Sequence, residues 1–597
     1  MKHKFTAAFI ALVGLAFTGC NDLLDDNRYP ETSIVSSPLY WSNAENCQLQ
    51  VNRLYQYFYT YGQGTGLGNF YFNTLSDDQI SGTGGSFTNW KNTNTPATSA
   101  NYTSPYTAIR GCNLIIDGVN SGSLSAEDKN GFIAIARLVR GYEYYLLTRR
   151  YGDVPLVEGV LDPESEELYM PRTPRKEVMD YAYEDIYFAT QNIKAQSGKQ
   201  LFSKDMANAM LSEVCLWEGT FWKYCNQNDN AYAPDDARSS LYLNRCVEAS
   251  QGLLSSYPIG SDYSVLYNST WSGTTYGPTP LSGNPEVIFA CEYEQSIFMH
   301  STIAYTSSST QIAGVSKDAF DSYLFLDGKP KALTSLDNTD LGVPVEHMVG
   351  AATPEGEDEP GPGLNIKNLL EVRDQRLAAT IDTAVYYQGM SWNRAGSNQM
   401  TSSSGYGVRK YDNVNLPYNN RVTTGQNFTS GPFYWGAVIA LNYAEAKAEL
   451  GTLNDNDMNM TLNKLYARAG LPDQTVSSLS SMNDPANNMG VSSLLWEVRR
   501  CRRCELIMDN DFRYWDLNRW HQLKLLDTLE YPNIRLGANV SNSLVAAPQT
   551  VGDYINATYA NERIYESRQY LYPLPQDQLT LNKEYLVQNP GWPNTAN

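Results

Sequence analysis

The chain has 597 residues, 42% of them hydrophobic, which is enough to bury one large core or several. Its formal net charge is -20, a field that repels phosphate backbones and argues against nucleic acid as a partner. Nine cysteines in no regular spacing and only four histidines do not read as a disulfide scaffold, a multi-histidine metal site or a His-based triad, and no cofactor is expected.

Lys2 and Lys4 precede an uncharged run over 5–19, which predicts a secretory signal peptide. Spanning a bilayer takes about 20 residues of helix, so this run is short for a membrane anchor. Thr18 and Gly19 before Cys20 resemble a bacterial lipobox, in which the cysteine is lipidated and becomes the new N-terminus; an ordinary cleaved signal with an incidental cysteine is the alternative. Losing Lys2 and Lys4 takes the charge to -22. Asp22, Asp25 and Asp26 are similar to the signals that send some Gram-negative lipoproteins to the outer face of the outer membrane, or are a solvated linker.

Helical periodicity follows. Ala44, Cys47, Val51, Leu54 and Phe58 step by three and four and predict one buried face. Ser125 and Asp128 stand in capping-box positions at the head of a helix that runs to about Tyr151 and stops at Gly152. Val178, Ala182, Ile186, Ala189 and Ile193 repeat the pattern. Two helix pairs carry tetratricopeptide-like punctuation, a looser one in 205–258 and a clearer one ending at Gly451 and Gly470, the latter with Ala440, Ala444, Ala446 and Ala448 for close contact. The Asn/Asp turn at 454–457 lacks the glycine and distal glutamate of a calcium loop and reads as a cap. Cys501 and Cys504 form a C-x-x-C inside an apparently continuous helix, where packing is the simpler reading. These features predict a mainly α fold of helix pairs in one compact body.

Between the helices run three long segments rich in Gly, Ser, Thr and Asn with isolated aromatics, in 60–102, 262–285 and 386–407. Loops of this length are uncommon in compact domains and tend to be functional when ordered. Only 285–293 among the neighbouring stretches reads clearly as a strand.

Taken together, "RLVRGYEYYLLTRRYGDVPLV" (137–157), "SKDAFDSYLFLDGKP" (316–330), "RDQRL" (373–377), "GYGVRKY" (405–411), "ARAGLP" (467–472), "RRCELIMDNDFRYWDLNRW" (502–520) and "YLYPLPQDQLTLNKEYLVQNPGW" (570–592) resemble, in order, the SusD-like (RagB/SusD) outer-membrane nutrient-binding lipoproteins. Two positions depart from the family pattern: Asp509-Asn510 stands for the usual Glu-Gly, and His521 stands where a glycine often follows Arg-Trp. The resemblance implies tetratricopeptide-like helix pairs with a loop-rich ligand-binding half. It also implies a cell-surface lipoprotein that lids a SusC-like TonB-dependent transporter and captures glycans or, in some members, peptides. It divides the chain into a signal peptide (1–19), a lipidated N-terminus and linker (20–38), a SusD-like N-terminal region (39–220), a helix pair with loops (221–284) and a RagB/SusD C-terminal region (285–597).

The family motifs are structural, so a ligand site must be sought in the loops. Sugar rings have apolar faces and hydroxyl edges and are held by aromatic platforms flanked by polar groups. Trp90, Trp271, Tyr276 and Trp392 sit in the small, polar loops as such a platform should, with Asp77, Asp78 and Asn89 the nearest polar partners in the first. Packing of each aromatic on its own body or on the transporter is the alternative. A glycoside hydrolase would need two carboxylates about 5–10 Å apart across a cleft; Asp77 and Asp78 are adjacent, and nothing else marks a catalytic pair, so no enzyme is expected. With Lys91 and Arg394 the only basic residues in the three loops, a neutral or weakly charged oligosaccharide is expected over a polyanion.

Overall fold

The computed structural model describes residues 37–66, 68, 75–80, 94–162, 164–270, 276–277, 279–307, 314–346, 362–387, 402–547, 549–557 and 562–594. The signal segment and Cys20 lie outside them. No helix among the described residues is long and apolar enough to cross a membrane.

Local sequence sets the helices. α1 (Ala44–Asn52) is capped by the Asn43 side chain and continues as a tighter turn over Arg53–Tyr57. Cys47, Val51, Leu54 and Phe58 are buried as the spacing predicts, whereas Ala44 is exposed because the first turn, with Asn43 and Glu45, faces solvent. α2 (Ala100–Ser121) packs on α3 (Ala126–Tyr151), which begins where Ser125 accepts from the Asp128 amide and ends at Gly152 with φ 73°. α4 (Arg175–Asn192), α5 (Lys204–Tyr224) and α6 (Asp236–Ser256) follow, each packed on the one before. α7 (Gly436–Glu449) packs on α6, α5 and α8 (Leu462–Arg468), so both predicted helix pairs join one stack. The turn at 454–457 is a capping box between Asn454 and Asp457. The main hydrophobic core is continuous from Trp41 to Ile555, which welds the helical stack to the loop-rich half. Cys501 and Cys504 are buried free thiols, pushed up to about 12 and 11 by burial.

The sheets are small and antiparallel. β1 (Gln79–Ile80) pairs with β3 (Gly314–Val315), and β2 (Val287–Cys291), the strand legible in the sequence, pairs with β8 (Gly431–Trp435). β4 (Val343–Val345), β5 (Gly363–Asn365), β6 (Ile381–Val385) and β7 (Tyr406–Val408) form a four-stranded sheet. β9 (Leu536–Asn539), β10 (Thr550–Val551) and β11 (Tyr554–Asn556) form a three-stranded one.

Buried charge also pins the helices together and, through Arg503, ties them to the loop-rich half. From α9 (Ser493–Glu505), Arg499 pairs with Glu449 at 2.8 Å, Arg500 with Asp484, Arg502 with Asp516 at 2.7 Å, and Arg503 with Asp78 and Asp318 at 2.8 and 2.7 Å. From α10 (Phe512–Arg519), Arg519 grips both oxygens of Glu445, which also accepts from the Trp520 indole at 2.6 Å. Charges so placed need partners, since an uncompensated buried ion costs several kcal/mol. The arginines of the 502–520 motif are therefore the pins of the scaffold.

Candidate functional site at the loop roots

The first long loop leaves the body, and the second leaves and returns, along one seam, residues 425–430. Gly425 N donates to Ser301 Oγ (2.8 Å), and the same hydroxyl donates to Gly64 O (2.6 Å), at the departure of the first loop. Asn427 exchanges backbone bonds with His300 at 2.8 and 3.0 Å. Thr429 bridges to Thr270, and Ser430 N donates to Ser269 O at 2.8 Å, at the departure of the second loop. Phe428 meets Tyr276 edge to face, with centroids 5.5 Å apart, where that loop returns.

The other roots are tied beside this seam. Midway along, the first loop is tied at β1, whose Ile80 O accepts from Ser403 Oγ at 2.8 Å just after the third loop returns, and its far end is held where Pro96 O and Ala97 O accept from the Gln576 and Asp577 amides at 2.9 and 3.0 Å. The third loop's two ends are held together, Ser402 N donating to Tyr386 O at 3.1 Å. Gly314 packs against Ser402 and Ser404 so closely that a Cβ there would overlap both hydroxyls. Loops of unlike sequence thus rise from a floor fixed mainly by backbone, serine and asparagine contacts.

His300 shows how dry that floor is. Its Nδ1 accepts from the Thr302 amide at 3.1 Å, so Nε2 carries the proton to Thr429 O at 2.9 Å. Burial pushes its pKa down to about 3, and the ring is a neutral strut.

Of the residues singled out from sequence, Trp90, Asn89, Trp271 and Trp392 lie outside the described residues. Tyr276 is half-buried at the seam, its carbonyl accepting from Asn413 Nδ2 at 2.8 Å. Asp77 and Asp78 are 3% and 0% exposed. Both oxygens of Asp77 accept from Arg513 at 2.7 Å, and Asp78 accepts from Arg503 at 2.8 Å. Burial alone would raise the Asp77 carboxyl, but the charges of Arg503 and Arg513 hold it well below the usual carboxylate range; for Asp78 burial outweighs Arg503 and the carboxyl is pushed up. The sequence reading set both acids beside the platform; the structure engages them in fastening β1 to α9 and α10. A cavity of about 300 Å³ borders Asp77, but Arg499, Arg500, Arg503 and Arg513 in its walls are each bound to a carboxylate. The seam itself was missed, because its only local signal is a polar run, "GQNFTSG" (425–431), whose partners are distant in sequence. Among the described residues no cluster of His, Cys, Asp or Glu could hold a metal ion.

Comparison with known proteins decides the family: residues 285–592 match the SusD family, more than half of the chain. The chain belongs to the SusD family. Residues 39–216 match a second SusD-like group described as starch-binding and associating with the outer membrane. SusD-like protein P2 of Formosa agariphila is 23% identical over 611 residues, covering 99% of this chain and 100% of that one. A SusD-like carbohydrate-binding protein of Bacteroides fragilis superposes with a TM-score of 0.65 at 20% identity, over 92% of this chain and 100% of that one. A laminarin-binding SusD-like protein gives 0.54 at 17% identity over 92% and 100%, and NanU of B. fragilis 0.57 at 18% over 95% and 100%. At these identities the solved structures establish a shared fold.

Proposed function

We propose that this SusD-family protein is a cell-surface lipoprotein that binds a neutral or weakly charged oligosaccharide over the loop roots. It delivers that ligand to a SusC-like TonB-dependent outer-membrane transporter. The observation that carries the reading is that the first and second aromatic-bearing loops share the 425–430 seam while the third is tied to the first through Ser403 and Ile80, which lets rings distant in sequence share a ligand. Trp90, Trp271, Trp392 and Tyr276 supply the apolar platform and Asn89 a polar edge. The laminarin-binding neighbour supports a glycan of this kind. Cys20 carries the acyl chains and faces the protein outward. The protein is non-enzymatic in this reading, with Asp77 and Asp78 fastening the frame.

A glycan array run beside a peptide-library screen on the purified mature chain tests the reading. Binding to neutral oligosaccharides is expected, and it should be lost when Trp90 or Trp271 is replaced by alanine. Peptide binding alone would overturn it.

A further inference from the structure

A second surface shares no residue with the 425–430 seam. On one side stand Tyr102, Tyr106 and Arg110 of α2; across from them lies α11 (Gln576–Leu581) with the turn after it; a strap of residues 155–162 and 164–170 closes the third side. Between them runs an open groove of about 510 Å³. Its walls are held from three parts of the chain: Tyr106 OH donates to Pro155 O at 2.9 Å, Arg110 to Leu161 O at 3.0 Å, and Asn582 Nδ2 to Met170 O at 3.0 Å. These ties make it a formed groove in the free protein.

Its chemistry is apolar inside, with Arg110 spent on Leu161 O, and acidic along the strap, from which Glu167 lines it. Leu168 and Tyr169 on the strap are 44% and 51% exposed, and Leu581 on the opposite side 65%. Clustered exposed aliphatics of this kind mark interaction sites. Alongside the ring faces of Tyr106 and Tyr169 stand Leu161, Leu168, Leu581 and Leu586, which offer a sugar neither a ring face nor a hydrogen bond, so the groove suits protein side chains better than a glycan. The strap carries Glu158, Asp162, Glu164, Glu166 and Glu167, all exposed, and no lysine or arginine from 155 to 171.

We propose that this groove docks a segment of a partner protein whose apolar side chains are flanked by lysine or arginine. Leucine-sized side chains fill the groove between Tyr106 and Leu581, and the basic flanks meet the strap's carboxylates. The inference does not rest on the glycan reading.

A labelled ten-residue peptide with leucines between paired lysines, titrated by fluorescence anisotropy against the mature chain, tests it. Saturable binding in the micromolar range is expected. A peptide with glutamates for the lysines, and one with serines for the leucines, should each bind at least tenfold more weakly. Leu168→Ser with Leu581→Ser, both at exposed positions, should leave the melting temperature unchanged and weaken binding at least tenfold. Replacing Glu164, Glu166 and Glu167 by glutamine should weaken binding and flatten its salt dependence. Equal binding of the glutamate peptide, unchanged binding by the double serine variant, or no binding at millimolar peptide would overturn the proposal. Self-association in sedimentation that Leu581→Ser abolishes would overturn it too, by making a second copy the occupant.

Discussion

Arg513 holds Asp77 through two parallel bonds, Nε to Oδ1 and Nη2 to Oδ2, each 2.7 Å, with both residues buried. This fork locks the first loop's strand β1 to α10. Asp77→Ala should cost about 3–5 kcal/mol in a urea melt, because Arg513 is left charged and buried without its partner. Removing Arg513 as well should restore part of the loss. Because the Asp77 carboxyl is held below its unfolded range, its contribution is present above about pH 4 and disappears as pH falls through the folded value. Equal acid sensitivity of wild type and Asp77→Asn would refute this assignment.

Glu143, buried in α3, behaves in the opposite sense. Burial pushes its pKa up to about 8, against the pull of Arg150 and Arg149. Between about pH 4 and pH 8 the folded protein keeps a proton that the unfolded chain gives up, so this group lowers stability as pH rises. Glu143→Gln should be more stable than wild type at pH 8, by something on the order of 1–3 kcal/mol, and melt alike at pH 4. A constant difference across that range would sink the account.

Asn510 and His521, the two departures from the family pattern, have φ 44° and 56°. Both sit in left-handed backbone, where glycine costs least and asparagine is tolerated. Asn510→Ala should destabilise by about 1–2 kcal/mol, while Asn510→Gly should lose less despite giving up the Nδ2 bond to Phe433 O at 3.3 Å. His521 offsets its strain by stacking on Tyr570 at 3.9 Å and bonding Asp229 at 2.7 Å. Calorimetric melting of the two Asn510 variants checks the order.

The ligand reading makes its own demands. Trp90→Ala and Trp271→Ala should each weaken oligosaccharide binding roughly thirtyfold while leaving the melting temperature unchanged, as for loop residues that stack on a ligand. Binding should differ little between low and high salt, since stacking and neutral hydrogen bonds carry it. Titration calorimetry at two ionic strengths measures both; tight, salt-sensitive binding to a sulfated glycan alone would contradict the neutral-ligand expectation.

The helical half was legible because its signals are local. The Ser125 cap, the Gly152 stop and the face of Val178, Ala182, Ile186 and Ala189 are written within a few turns of chain. Strands such as Gln79–Ile80 and Gly314–Val315 are two residues long and exist only through each other, so no window of sequence holds them. Asp77 and Asp78 misled for the same reason: a carboxylate in a polar loop is open to ligand or committed to an arginine depending on a helix more than 400 residues away.

That separation also sets an order in time. Asp77 is synthesised 426 residues before Arg503, and a chain extended from its N-terminus carries both acids long before their cations exist. Until α9 and α10 arrive, Asp77 and Asp78 can be buried only as unpaired charges, at a cost that keeps their segment open to water. The early helices can pair as they emerge, because their contacts run between chain neighbours. β1 cannot be fastened to α10 until residue 513 has been made, so the loop-rich half is completed after the early helices.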